Sequence, residues 1–279
     1  MHVMCSPACM SCDYLGDTSE TCPGLPESTG PLWKPGDLNA FFETVADNAD
    51  GKGEYLKYNP KALSRPEQKS DGTAAPGGKE DGPWVVLPEN FLTEEEADRI
   101  VNIGHAQGYE RSVKTTSPGQ SETTSGRTSD NTWCQEPSCM EDPLVAQVLE
   151  RIATTTKSTT KHSEHLQLLR YVPGQFYGQH HDFIDYQLDQ PCGARIMTLF
   201  LYLNDVEEGG NTGFPELGIS VKPKKGSALL WPSVKDEDPM EKDPRTDHEA
   251  EVVIAGVKYG SNAWIHSEDF QTPLALGCM

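Results

Sequence analysis

From Leu166 towards the C-terminus the apolar residues leave the helical period and fall into short runs broken by Gly and Pro. Leu166, Leu168, Arg170 and Val172 occupy alternate positions, and Arg195 to Leu203 makes one long run. Ile219-Val221, Ser227-Trp231, Glu251-Ile254 and Ser261-Ile265 follow between turn residues. Strand side chains point in turn to the two faces of a sheet, so this spacing predicts about seven strands. Upstream the pattern differs. Trp84-Val85-Val86-Leu87 reads as a short buried strand ended by Pro88. Thr93 with Glu96 then forms a capping box for a helix running to about Gln107, burying Ala97, Ile100, Val101 and Gly104. Asp142 as cap and Pro143 in the first turn open a second helix. Its Leu144, Val148 and Ile152 lie four apart, with Val145 and Leu149 beside them, a stripe that suits packing on a sheet. Helices followed by strands predict an α+β chain: a double-stranded β-helix (jelly-roll) core backed by N-terminal helices.

Three parts are expected. Residues 1–34 form a Cys-rich N-terminal segment, and residues 35–82 a short helix and a flexible linker. The helix starts at Asp37 and turns Leu38, Phe41, Phe42 and Val45 to one side, while residues 59–82 collect Pro, Gly, Lys, Asp and Ser. Residues 83–279 hold the compact domain, with the jelly roll over about 164–273. Cys5, Cys9, Cys12 and Cys22 crowd the N-terminus, and Cys134 and Cys139 form a second close pair. An even total of eight cysteines favours disulfides and an oxidising compartment. A zinc site from the N-terminal four is the alternative, although their spacing lacks the paired short loops of a strong zinc motif.

Charge narrows the partners. With 43 acidic against 23 basic side chains the formal charge is -20, which repels phosphate backbones and argues against nucleic acid as a partner. Lys222, Lys224 and Lys225 form too short a patch to reverse that. No run reaches the roughly 20 apolar residues that span a bilayer. Met1 does not open a recognisable signal peptide. Membrane association is therefore expected only through a segment absent from this chain, and nothing fixes the oligomeric state.

Within the strand-rich part, His180-His181-Asp182 is followed 66 residues after the Asp by His248, and ten residues later by Lys258. Each element has a bland reading. A single His-x-Asp is most often a surface or turn triplet, His248 lies in a charged loop, and a Lys beside a turn is usually solvated. Together they mean more. Two imidazoles and one carboxylate can occupy one face of an octahedral metal and leave positions open, the facial arrangement of non-heme Fe(II) oxygenases. His180 and Asp182 would share a strand face, with His181 turned away. A Lys turned into a barrel would need a carboxylate partner, which a bound dicarboxylate supplies.

Longer stretches carry a resemblance. Tyr171-x-x-Gly174-Gln175-x-Tyr177-x-x-His180-x-Asp182, Arg195 through Thr212, Val221 through Leu230, and His248 followed by Gly256-Val257-Lys258-Tyr259-Gly260-Ser261-Asn262-Ala263-Trp264-Ile265-His266 resemble the catalytic domain of the prolyl 4-hydroxylase family. The likeness covers about residues 83–273, including Gly126-Arg127-Thr128-Ser129. It implies Fe(II) held by His180, Asp182 and His248. It further implies 2-oxoglutarate held at its far carboxylate by Lys258 with Tyr171 and Thr212, Thr198 as a neighbouring pocket candidate, and Trp264 lining the site. Arg127 would belong to a lid over the peptide, and Tyr177, Arg195 and Trp231 are substrate-side candidates. The chain departs from the family pattern at His181, at Trp231-Pro232, in the acidic run Asp236–Asp247 and in the Cys134/Cys139 loop. Those departures bear on peptide preference and remove no ligand.

The implied reaction is 2-oxoglutarate- and Fe(II)-dependent hydroxylation of peptidyl proline, consuming O2, releasing succinate and CO2, and supported by L-ascorbate. The implied partner is a Pro-rich or hydroxyproline-rich polypeptide, whose preformed extended helix loses little entropy on docking. The alternatives are a dioxygenase acting on another peptidyl or small-molecule substrate, and a catalytically silent module that binds Pro-rich peptides. The cysteines and the resemblance together point to the secretory pathway, either the endoplasmic reticulum lumen or its membrane.

Overall fold

The computed structural model describes residues 22, 25–28, 30–75, 77–78, 82–117 and 120–279, with backbone alone for 114–117 and 120–122. In chain order the strands are β1 (Pro60–Ser64), β2 (Val85–Pro88), β3 (Glu110–Arg111), β4 (Lys114–Ser117), β5 (Gln120–Glu122) and β6 (Asp130–Trp133). They continue with β7 (Gln167–Tyr171), β8 (Tyr177–His180), β9 (Arg195–Tyr202), β10 (Glu208–Gly209) and β11 (Thr212–Phe214). The last are β12 (Ile219–Val221), β13 (Ala228–Pro232), β14 (His248–Ala250), β15 (Val253–Ala255) and β16 (Lys258–His266). An eight-stranded sheet runs β1-β2-β13-β9-β16-β7-β6-β3, and a four-stranded sheet runs β12-β11-β14-β8. Together they form the jelly roll.

Strand parity decides what each face meets. On β9, Met197, Leu199 and Leu201 join an apolar cluster with Leu168, Leu230, Ala263 and Ile265, while Phe200 and Tyr202 turn the other way. The inward set joins Leu169, Tyr171, Leu229 and Trp231 of the large sheet to Phe214 and Val221 of the small one. The side chains between the sheets thus come from alternate residues, as the period of two requires. The outward cluster includes Ala97, Ile100 and Ile103 of α2 (Glu94–Gln107) and Val145, Val148 and Ile152 of α4 (Pro143–Thr155).

Both helix starts follow from their sequences. Thr93 accepts from Glu96 N–H while Glu96 accepts from Thr93 N–H, completing the capping box, and Asp142 accepts from Leu144 and Val145 N–H. The helix expected from Asp37 is α1 (Asp37–Asp47), with Leu38, Phe41, Phe42 and Val45 buried. Between it and β2 the structure differs from expectation. The stretch read as a linker supplies β1, which pairs antiparallel with β2, and Arg65 there is ion-paired to Asp47. Its Pro, Lys and Ser content suits a half-exposed edge strand as well as a loop.

Among the described residues two disulfides close loops: Cys22–Cys278 and Cys134–Cys139. Cys134–Cys139 ties the end of β6 to α3 (Pro137–Met140). Cys22 is thereby removed from the four-thiolate zinc set, whose other members, Cys5, Cys9 and Cys12, lie outside the described residues. Cys192 is a buried free thiol, pushed above its ordinary range by burial. The short C-terminal helix α5 (Gln271–Leu276) packs beside the Thr160–His162 turn.

Candidate active site

The small sheet brings together the two histidines of the candidate metal site. Antiparallel pairing of β14 with β8 sets His248 directly opposite His180, and the ring centroids are 4.3 Å apart. Asp182 lies two residues past His180, in a bend beyond the end of β8 rather than on the strand. One potential ligand atom from each of the three falls within 4.8 Å of the others. His180 Nδ1 is 2.9 Å from the Gly178 carbonyl oxygen and His248 Nδ1 is 3.0 Å from that of Thr246. With Nδ1 of each imidazole directed at a carbonyl oxygen, Nε2 is the nitrogen left to face a metal.

Burial holds His180 well below its ordinary pKa, assisted by His248, so its ring stays neutral. Burial alone would raise Asp182. His248, His180, Arg195 and a hydrogen bond from Thr198 instead hold its carboxyl well below the usual carboxylate range. That bond runs from Thr198 Oγ1 to Asp182 Oδ2 at 2.6 Å. Two imidazoles and an ionised carboxylate on one side of a buried space fit Fe(II) with open positions. Tyr177 stacks on His180 at 3.6 Å, and the Trp231 ring stands edge-on to His248 at 4.8 Å.

Lys258 occupies another part of the same interior. It opens β16 opposite Tyr171 of β7, is 1% exposed, and its Nζ has no hydrogen-bond partner among the described residues. The rings of Phe200, Tyr171 and Tyr202 surround it at 5.3, 5.4 and 5.8 Å. Burial pushes its pKa down to about 7, opposed by the charge of Glu251. Such an ammonium is costly unless an anion reaches it. Thr212 accepts from the Tyr202 hydroxyl at 2.8 Å, beside this pocket. The far carboxylate of 2-oxoglutarate fits the unpartnered cation, and its keto-acid end suits the open metal positions.

A third group lines the inner wall. Arg195 lies 3.7 Å over the Trp264 ring and pairs with buried Glu164, which also takes a 2.8 Å contact from His266 Nε2. Arg127 sits 4.6 Å over the Tyr177 ring and donates to the Val113 carbonyl and to Gln167 Oε1, each at 3.2 Å. Asn262 also donates to Gln167. Sequence reasoning missed Glu164, Gln167, Asn262 and His266. The parity of β16 could have found two of them, because Asn262 and His266 share the face of Lys258 and Trp264. His181 is turned away and bonded to the Asp243 carbonyl and to Thr246, so it ties the loop that carries His248 to the strand that carries His180.

Comparisons with known proteins agree with this geometry. A family model described as the 2OG-Fe(II) oxygenase superfamily matches residues 166–266, a span containing all three metal-site residues and Lys258. Prolyl 4-hydroxylase subunit alpha-2 of Gallus gallus is 33% identical over 211 residues, covering 75% of this chain and 37% of that protein. Probable prolyl 4-hydroxylase 3 of Arabidopsis thaliana is 31% identical over 264 residues, covering 85% of this chain and 82% of that protein. Among solved structures, the viral collagen prolyl hydroxylase of Paramecium bursaria Chlorella virus-1, in its 2OG complex, is 28% identical. That match has a TM-score of 0.53 and covers 66% of this chain and 96% of the viral one. The chain thus spans about a third of the animal subunit's length and most of the plant protein's. Sequence, fold and the paired metal and Lys258 pockets converge: this chain belongs to the prolyl 4-hydroxylase family of 2OG-Fe(II) oxygenases.

Proposed function

We propose that this chain hydroxylates peptidyl proline at C4, consuming 2-oxoglutarate and O2 with Fe(II) and releasing succinate and CO2. The observation that carries the reading is the buried ammonium of Lys258, without a hydrogen-bond partner among the described residues, in the interior that also holds His180, Asp182 and His248. Bound iron would supply the oxygen activation and C–H chemistry; the protein orients and shields. His180, Asp182 and His248 hold the metal, and Thr198 fixes the carboxylate's rotamer through its hydrogen bond. Lys258 sets the depth of the cosubstrate, and the aromatic rings around it exclude water. Arg127, Tyr177, Arg195 and Trp264 present cations and ring faces to a Pro-rich or hydroxyproline-rich polypeptide. L-Ascorbate would keep the iron reduced when turnover uncouples. The disulfides Cys22–Cys278 and Cys134–Cys139 support an oxidising setting, the endoplasmic reticulum lumen or a site on its membrane.

The test is succinate release by protein loaded with Fe(II) in the presence of 2-oxoglutarate, ascorbate and air, with and without poly-L-proline. Peptide-stimulated succinate, a peptide heavier by one oxygen per event, and loss of both in His180→Ala are expected. Turnover that ignores every proline peptide would remove the substrate assignment.

A further inference from the structure

Trp133 is the last residue of β6, and Cys134 follows it. Neighbouring residues of an extended chain face opposite ways. Cys134 and its partner Cys139 are buried in the apolar cluster shared by the large sheet and the helices. Trp133 is turned to the other side, opposite Gln167 of β7, whose side chain receives Arg127 and Asn262. The disulfide thus grips one face of the chain while the indole projects from the other. The Cys134 N–H also donates to the Leu166 carbonyl at 2.9 Å, which fixes the strand end against β7.

The Trp133 and Trp264 ring centroids are 6.0 Å apart, inclined at 45°. Trp133 is only half-buried, and the buried indole N–H of Trp264 has no acceptor among the described residues. A half-exposed indole beside a buried donor that has no acceptor among the described residues complements a polyproline-type segment, which offers apolar pyrrolidine rings and carbonyls without internal partners. We propose that Trp133 contacts the peptide flanking the target proline, and that the Cys134–Cys139 disulfide is the staple that holds Trp133 in register. The inference rests on the prolyl hydroxylase reading and specifies how that site grips its substrate.

The test measures binding of fluorescein-labelled poly-L-proline by anisotropy, with Fe(II) and 2-oxoglutarate bound and oxygen excluded, alongside steady-state KM values. Trp133→Ala should raise the peptide Kd and KM about tenfold, the size of one aromatic contact, while the 2-oxoglutarate KM stays within twofold. Trp133→Phe should recover most of the loss. Replacing Cys134 and Cys139 together by Ser should raise the peptide KM about threefold, and adding Trp133→Ala should then give no more than Trp133→Ala alone. An unchanged peptide Kd in Trp133→Ala overturns the contact, as does a parallel rise in both KM values. If the serine pair fails to fold, the Ala and Phe variants still decide the contact. Peptide binding that depends on Trp133 without wild-type turnover keeps the contact and discards the hydroxylase reading. No wild-type binding overturns the contact itself.

Discussion

The metal-binding and Lys258 ends of the interior are built on opposite plans. Around His180, Asp182 and His248 the protein supplies partners before any ligand arrives: the Gly178 and Thr246 carbonyls orient the imidazoles, and Thr198 holds the carboxylate. Around Lys258 it supplies ring faces and the more distant charge of Glu251, and among the described residues no hydrogen-bond partner for the ammonium. The first arrangement fixes geometry for a metal, which tolerates little misplacement. The second stores an unfavourable burial that a dicarboxylate relieves on binding, so recognition of the cosubstrate is written as a deficit in the empty protein.

Breaking the metal end should have the largest consequence. Asp182→Ala is expected to lower succinate formation about a thousandfold or more, since loss of a ligand exceeds the 10- to 100-fold typical of its supporting residues. Iron retained after desalting, read by metal analysis, should fall with it. At the other end, Lys258→Met should raise the 2-oxoglutarate KM about a hundredfold, the worth of a charge-assisted contact. The same change should raise the melting temperature of the ligand-free protein, because it removes a buried charge. Had the two ends been built alike, both substitutions would destabilise.

Thr198→Val sharpens the contrast on a smaller scale. It leaves all three ligands and removes the 2.6 Å bond to Asp182, so iron affinity should drop about tenfold while 2-oxoglutarate binding to the iron-loaded enzyme changes little. Acidity gives the mildest handle. In the folded chain the Lys258 pKa falls to about 7 from an ordinary value of 10.5, so the unfolded chain binds the extra proton between those values. The ligand-free protein therefore gains stability from this group as pH rises through that window, and the gain should vanish in Lys258→Met when chemical denaturation is followed against pH. Affinity for 2-oxoglutarate moves the other way, falling up to tenfold per unit above about pH 7.

How much of this could be read from the chain follows the same division. The capping box at Thr93 and Glu96, the Asp142 cap and the long β9 are local, and their residues declare them. The short strands β8, β11 and β14 do not, because three or four residues with Gly or His among them carry little periodicity. Yet β8 and β14 set His248 across from His180, a pairing between residues distant in sequence. The spacing of ligand-type residues pointed to the cluster, whereas the position of Asp182 beyond the strand end depended on where β8 stops. Thr198 was legible as a neighbour of the site, but its bond to Asp182 needs the register of β9 inside the sheet. Glu164 pairs with Arg195 and is hydrogen-bonded to His266 across three segments, and no local pattern announces such a meeting. The edge strand β1 was hidden by loop-like composition, since exposed edges tolerate Pro and Lys.

Calorimetry of 2-oxoglutarate binding to the Fe(II)-loaded protein without oxygen tests the central claim most directly. Run at pH 8 in two buffers of different ionisation enthalpy, it counts the protons exchanged on binding. With a free-site Lys258 pKa of about 7 and a carboxylate partner raising it in the complex, uptake of nearly one proton per 2-oxoglutarate is predicted, lost in Lys258→Met. Binding without proton uptake, and equally tight in Lys258→Met, would contradict the claim that the cosubstrate completes an unpaired lysine.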